Sequence, residues 1–329
     1  MTVTNATRLA VPALALALLA LAAAPAQAQL ARTYVSNAVG NDANDCNRNT
    51  PCRTFQRAHD NTLAGGEITV LDPGGYGTVA INKAISIIND GVGEAGVLVS
   101  GGFAGITVNA GASDAVSVRG LTVKGIGFGG GNGIVFNSGK SLIVENCTLR
   151  TLTRIANGTG GFGIYISSGT SANVTVTNTL VAQSEGIGLW FVATGPNVSV
   201  KGILDRVAVY DGAESGIVVE QGAVVGGSIQ VTARDSIAAG NAVDGFVVER
   251  IAVGAASLVL IRSTSANNGS AGLRVIGASG STSLTVGEST ISGNGSSWAS
   301  NGTLRSYGDN NIIGNGDGDP AIPTVIAKK

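Results

Sequence analysis

Seven times along this chain a glycine is followed by short alternating apolar residues, at Gly133, Gly163, Gly188, Gly216, Gly245, Gly272 and, with a poorer pattern, Gly302. The starts lie 30, 25, 28, 29, 27 and 30 residues apart. A self-similarity near one period of this length marks a stack of repeats in which each unit buries its apolar face against the next. After each glycine comes a strand: GIVFN at 133, GIYIS at 163, GLWFV at 188, GIVVE at 216, GFVVE at 245 and GLRVI at 272. Side chains alternate between the faces of a strand, so the first and third residues after each glycine share one face. That face, with Ile134 and Phe136, Ile164 and Ile166, Leu189 and Phe191, Ile217 and Val219, Phe246 and Val248, Leu273 and Val275, is predicted to be the core. A second β-branched alternating run follows in most repeats, at Leu142, Val174, Ile229 and Leu258, so each repeat holds at least two strands.

A helical solenoid is excluded because the repeats carry no apolar pattern of period 3.6 and are dense in Gly, Ser, Thr and Asn. They are too short for propeller blades and lack leucine-rich spacing. Coils of this length suit an all-β parallel β-helix in which every coil pairs with its neighbours. Only Pro196 falls between residues 81 and 319. A proline would remove a ladder hydrogen bond from a strand paired on both sides, and Pro196 follows Gly195 in what reads as a turn.

The stretch GGEITVLDPGGYGTVAINKAISI, residues 65–87, resembles the first coil of right-handed parallel β-helix proteins of the pectate-lyase-like superfamily. The preceding TYVSNAVGNDANDCNRNTPCRTFQRA is similar to the lead-in of many secreted bacterial members. The resemblance covers roughly residues 33–315 and implies a single-stranded right-handed solenoid. It says little about function, since the superfamily includes lyases, glycosidases, esterases, epimerases and non-catalytic proteins.

Residues 9–24 form an apolar run after Arg8, and Ala26-Gln27-Ala28 is a small-x-small site. Residues 1–28 therefore read as a signal peptide cleaved before Gln29, with an uncleaved anchor as the alternative. The mature chain is expected outside the cytoplasm, secreted or periplasmic in a bacterium, with no further membrane span. Loss of Arg8 leaves a formal charge of −2, which gives no electrostatic reason to propose nucleic acid or an anionic membrane as partner. Residues 29–66 are expected to form an N-terminal cap, 67–315 the β-helix and 316–329 a loosely ordered tail. Cys46 and Cys52 close a short loop in that cap and are expected to form a disulfide, as suits an exported protein. Thr50 and Pro51 suit the start of a short capping helix over residues 51–64, with His59 on or beside its packed face. Cys147 reads as a small stacking residue.

Residue by residue, the chemistry implied by the resemblance is missing. There is no DD, GHG or RIK as in polygalacturonase-like enzymes, and the nearest approach to their NTD is NTL at Asn178–Leu180. The WVDH or WIDH and RxPxxR segments of pectate lyases are absent. The Asp-Pro pairs at Asp72 and Asp319 lack the histidine of the DPH motif of alginate epimerases. No cofactor is implied; calcium between acids, or on the tail DNNIIGNGDGD, has no motif behind it.

What remains is the outward face of the glycine-started strands. In register, Val135, Tyr165, Trp190, Val218, Val247 and Arg274 form one row, and Asn137, Ser167, Val192, Glu220, Glu249 and Ile276 another. Tyr165 and Trp190 are the candidate polysaccharide-binding residues, because exposed aromatic faces suit stacking on sugar rings. The alternative is that a loop such as residues 150–162 folds over the row. Glu220 and Glu249, on adjacent coils, are the candidate catalytic pair at about the 5–5.5 Å used by retaining glycosidases. The alternative is that they are solvated acids paired with Arg250 or Arg274. The functional expectation is an exported polysaccharide-binding or cell-surface β-helix, with a polysaccharide lyase or glycoside hydrolase, or a protein-binding adhesin, as alternatives.

Overall fold

The computed structural model describes residues 29–127, 129–222, 226–278 and 280–328. The signal peptide expected over residues 1–28 lies outside them. Among the described residues no helix is long and apolar enough to cross a membrane.

Alternation builds a parallel β-helix whose coils carry three strand positions, the second and third merged into one long strand in two coils, Ala172–Ala182 and Ser199–Tyr210. One coil runs through Ile217–Gln221, Ser228–Arg234 and Ile237–Ala239, and each strand pairs in parallel with its equivalents one coil away. The first strands of successive coils form a nine-stranded sheet from Val79–Ile81 to Ser296–Ser300. The twelve residues assigned to its inner face are all essentially inaccessible. Each fully buried aliphatic or aromatic side chain contributes roughly 2 kcal/mol, which is how many short strands hold one elongated body.

The glycines are selected by close packing. A Cβ on Gly105, Gly133, Gly163, Gly188, Gly216, Gly245 or Gly272 would lie 2.3–3.0 Å from the carbonyl oxygen of the equivalent residue in the next coil. Gly105 belongs to this series although its short Ile106–Asn109 strand hid it from the sequence reading. Gly302 does not. The next strand of the sheet is Ser296–Ser300, Ser297 takes the glycine position, and Gly302 precedes a strand of another face, Thr303–Ser306.

Bends are held by side chains stacked along the axis. Asn146, Asn178, Arg206, Asp235, Arg262 and Glu288 take the same left-handed bend in successive coils. At another corner a buried ladder runs from Asn241 to Asn268, Asn294 and Asn315, each side-chain amide donating to the next at 2.8–2.9 Å.

Both ends are closed. Cys46 and Cys52 are joined, and their loop hydrogen-bonds to the edge of the first strand, Leu30–Val35, through Tyr34 and Ser36. The capping helix is shorter than expected, Phe55–Asn61, with Thr54 as its N-cap in place of Thr50. Asp42 accepts hydrogen bonds from the backbone of Arg53 and Thr54, and Cys52 bridges to Val35, so these contacts fix the segment before Thr54 outside the helix. His59 is buried on this helix, and Leu63 lies on the following strand, half exposed. The tail also departs from expectation. Ile322 is buried, Trp298 donates to the Pro320 carbonyl, and on the last coil the Ser306 amide donates to the Thr324 carbonyl while the Ile326 amide donates to the Ser306 carbonyl.

Candidate functional site

The register places Val135, Tyr165, Trp190, Val218, Val247 and Arg274 side by side on the outer face of the nine-stranded sheet. Their exposure is uneven: Val135, Val218 and Val247 are only 8, 5 and 4 % exposed, so the row is not an open apolar stripe. Tyr165 and Trp190 are half-buried and stack on one another, ring centroids 4.8 Å apart. The loop before them contributes. Phe162 sits 5.1 Å from both rings, edge-on to the indole. That loop is fastened along the axis: Asn132 accepts from the Phe162 amide, Glu185 accepts from the Arg154 amide, and the Arg154 guanidinium reaches Glu214 two coils on. The result lies between the two alternatives, a three-ring cluster covered on one side and half open on the other.

The same cluster draws in the glutamates. Glu220 and Glu249 are in-register neighbours, and the Trp190 indole N–H donates to Glu220 Oε2 at 3.1 Å. Glu220 is only 8 % exposed. Burial pushes its carboxyl above the usual carboxylate range and the neighbouring Glu249 adds to the rise, while the Trp190 hydrogen bond opposes it. The solvated-acid alternative is therefore corrected for Glu220. Neither arginine serves it: Arg274 donates to Asp244 at 2.6 Å and to Ser270, and the Arg250 Nε is buried without a partner. A carboxyl enclosed in this way positions the indole; Glu249 is the more accessible of the pair.

Grooves of about 420 Å³ beside Asn89, Arg119 and Asn146 and about 490 Å³ beside Pro73, Leu98 and Lys124 lie away from this cluster. Among the described residues no group of three or more acid, histidine or cysteine side chains is placed to hold a metal ion. The acids of DNNIIGNGDGD have other partners. Asp309 meets Lys328, Asp317 accepts from the amide and hydroxyl of Ser297, and Asp319 accepts from the amides of Gly314 and Asn315. Cys147 is buried, which pushes its thiol up to about 11 and leaves it unreactive.

Two aromatic residues were missed in the sequence. Phe162 directly precedes a repeat glycine in a segment without periodicity. Phe103, 72 % exposed, occupies a loop at the same edge two coils earlier, about 10 Å along the axis from the cluster. Between these coils, Asn137 donates to Asn109 at 2.8 Å in an exposed amide pair.

A family model described as the right handed beta helix region matches residues 104–317. The chain belongs to the right-handed β-helix family. Among solved structures, this β-helix is similar to the GH136 lacto-N-biosidase of Eubacterium ramulus, with 11 % identity, a TM-score of 0.50, and 86 % of this chain and 68 % of that one covered. It is also similar to pectate lyase Pel9A, with 18 % identity, a TM-score of 0.47, and 84 % and 74 % covered. A third is the mannuronan C-5 epimerase AlgE4 A-module of Azotobacter vinelandii, with 16 % identity, a TM-score of 0.42, and 80 % and 91 % covered. At such identities the likeness is one of fold. No curated protein matches the chain.

Proposed function

We propose that this right-handed β-helix is an exported, non-catalytic polysaccharide-binding protein whose contact surface is the Phe162–Tyr165–Trp190 cluster. The observation that carries the reading is the cluster itself: three mutually packed, half-open rings on an outer sheet face, with the indole fixed by Glu220. Aromatic groups kept partly in water carry a desolvation gain for any ligand that covers them, and a sugar ring's apolar face suits such a surface. Phe103, at the same edge, extends the contact along the axis and favours a chain-shaped ligand. The disulfide supports an extracytoplasmic location. The likeness in fold to a lacto-N-biosidase accords with a glycan partner.

The test is affinity for immobilised polysaccharides. Trp190→Ala and Phe162→Ala are each expected to weaken binding about tenfold or more, as truncation of a central aromatic contact does. Unchanged affinity in both variants, with the fold intact by circular dichroism, would rule this surface out. A hydrolase or lyase reading has one observation in its favour, a protonation-prone Glu220 beside Glu249. Reducing-end or unsaturated-uronate release that is lost in Glu220→Gln and Glu249→Gln would establish it over the binding reading.

A further inference from the structure

We infer that the aromatic cluster is built for a neutral glycan and discriminates against chains of uronic acids, an inference that rests on the binding reading above. The charges around the rings carry it. Glu185, Glu214, Glu220, Glu249 and Asp244 lie on the coils that hold or flank Tyr165 and Trp190. The arginines that approach this face are already held: Arg154 by Glu214, and Arg274 by Asp244 and Ser270. Arg250 follows Glu249 on its strand, so alternation turns its side chain to the other side, and its in-register neighbour Gln221 is fully buried.

A polyuronate presents a carboxylate on every sugar. Laid across Trp190, it would bring those charges towards Glu249 and the Glu185–Glu214 edge, where Arg154 and Arg274 are already paired with acids of this face. Like charges placed together at an interface disfavour association and act mainly as a filter against wrong partners. A neutral sugar meets no such penalty. Its hydroxyls find groups that both donate and accept in the exposed Asn109–Asn137 pair and in Ser167, two residues after Tyr165 on the same strand. The surface thus combines an apolar ring contact, amide and hydroxyl partners, and a negative rim.

The experiment measures calorimetric affinity of the full mature chain for neutral hexasaccharides (β-1,4-glucan, β-1,4-galactan and β-1,4-xylan) and for hexagalacturonate and hexamannuronate, at low and high salt. At least one neutral hexamer is expected to bind about tenfold or more tightly than either uronate at low salt, with the gap narrowing as salt screens the rim. The variant carrying Glu249→Gln and Glu185→Gln should narrow the gap in the same way. Should that variant misfold, Glu249→Gln alone gives the same sign. Uronate binding as tight as or tighter than neutral binding, and abolished by Trp190→Ala, would overturn the neutral-class inference while leaving the aromatic site standing. Binding of neither class would overturn both.

Discussion

Glu220 points outward by strand register yet reaches little solvent, because Trp190 reaches across from the preceding coil and donates to its carboxyl. Its environment holds the acid above its ordinary value, so the folded state keeps a proton that the unfolded chain releases. Stability from this group is therefore complete below the unfolded glutamate value and declines as pH rises through the folded one. Glu220→Gln, which keeps an acceptor for the indole, is expected to gain on the wild type in melting temperature as pH rises above the ordinary glutamate value. An offset that does not change with pH would show that the carboxyl ionises in the fold as it does in the open chain. Row membership of Tyr165, Trp190, Glu220 and Glu249 was legible from alternation alone. The burial of Glu220 was not, because it depends on a long side chain from another coil, and neither was Phe162, which belongs to no periodic run.

Among the elements, the repeat glycines and the Asn ladder do different work. The glycines permit close approach of coil to coil, as the Cβ distances show. Gly163→Ala would place a methyl 2.3 Å from the Gly188 carbonyl oxygen and 2.4 Å from Val181. It is expected to destabilise by about 2 kcal/mol or more through overpacking. Gly169→Ala, where a Cβ meets nothing closer than 3.9 Å, should stay within about 0.5 kcal/mol in the same urea titration. Equal effects would mean that the glycine signature reflects chain flexibility and not packing. The strands were readable because a core-facing alternation cannot slip by one residue without exposing the whole inner row. The capping helix was misplaced because Thr50 and Pro51 look like a helix start locally, whereas Asp42 and Val35, distant in sequence, hold residues 52–54 in another shape. The Asn ladder is visible in retrospect in Asn241 and Asn268, each four residues before a repeat glycine.

At the scale of the whole molecule, a solenoid is stable only if its two open ends are covered, since an unpaired coil offers apolar surface and free backbone groups. The disulfide loop and the Phe55–Asn61 helix cover one end, and residues 320–328 lie against the other. Removing the residues after Asp319 uncovers the pocket of Ile322 and frees the Trp298 indole N–H. A melting temperature lowered by several degrees, about 2–4 °C per kcal/mol at this size, together with concentration-dependent association, is expected by calorimetry and light scattering. An unchanged melt would make the tail dispensable. The chain holds two tryptophans, Trp190 and Trp298, so Trp298→Phe leaves Trp190 as the single emitting indole. The most direct measurement of the binding surface is a fluorescence titration of that variant with the hexasaccharides. A saturable change in emission at the calorimetric affinity, lost in Trp190→Phe, is the predicted result; binding without any change in Trp190 emission would contradict it.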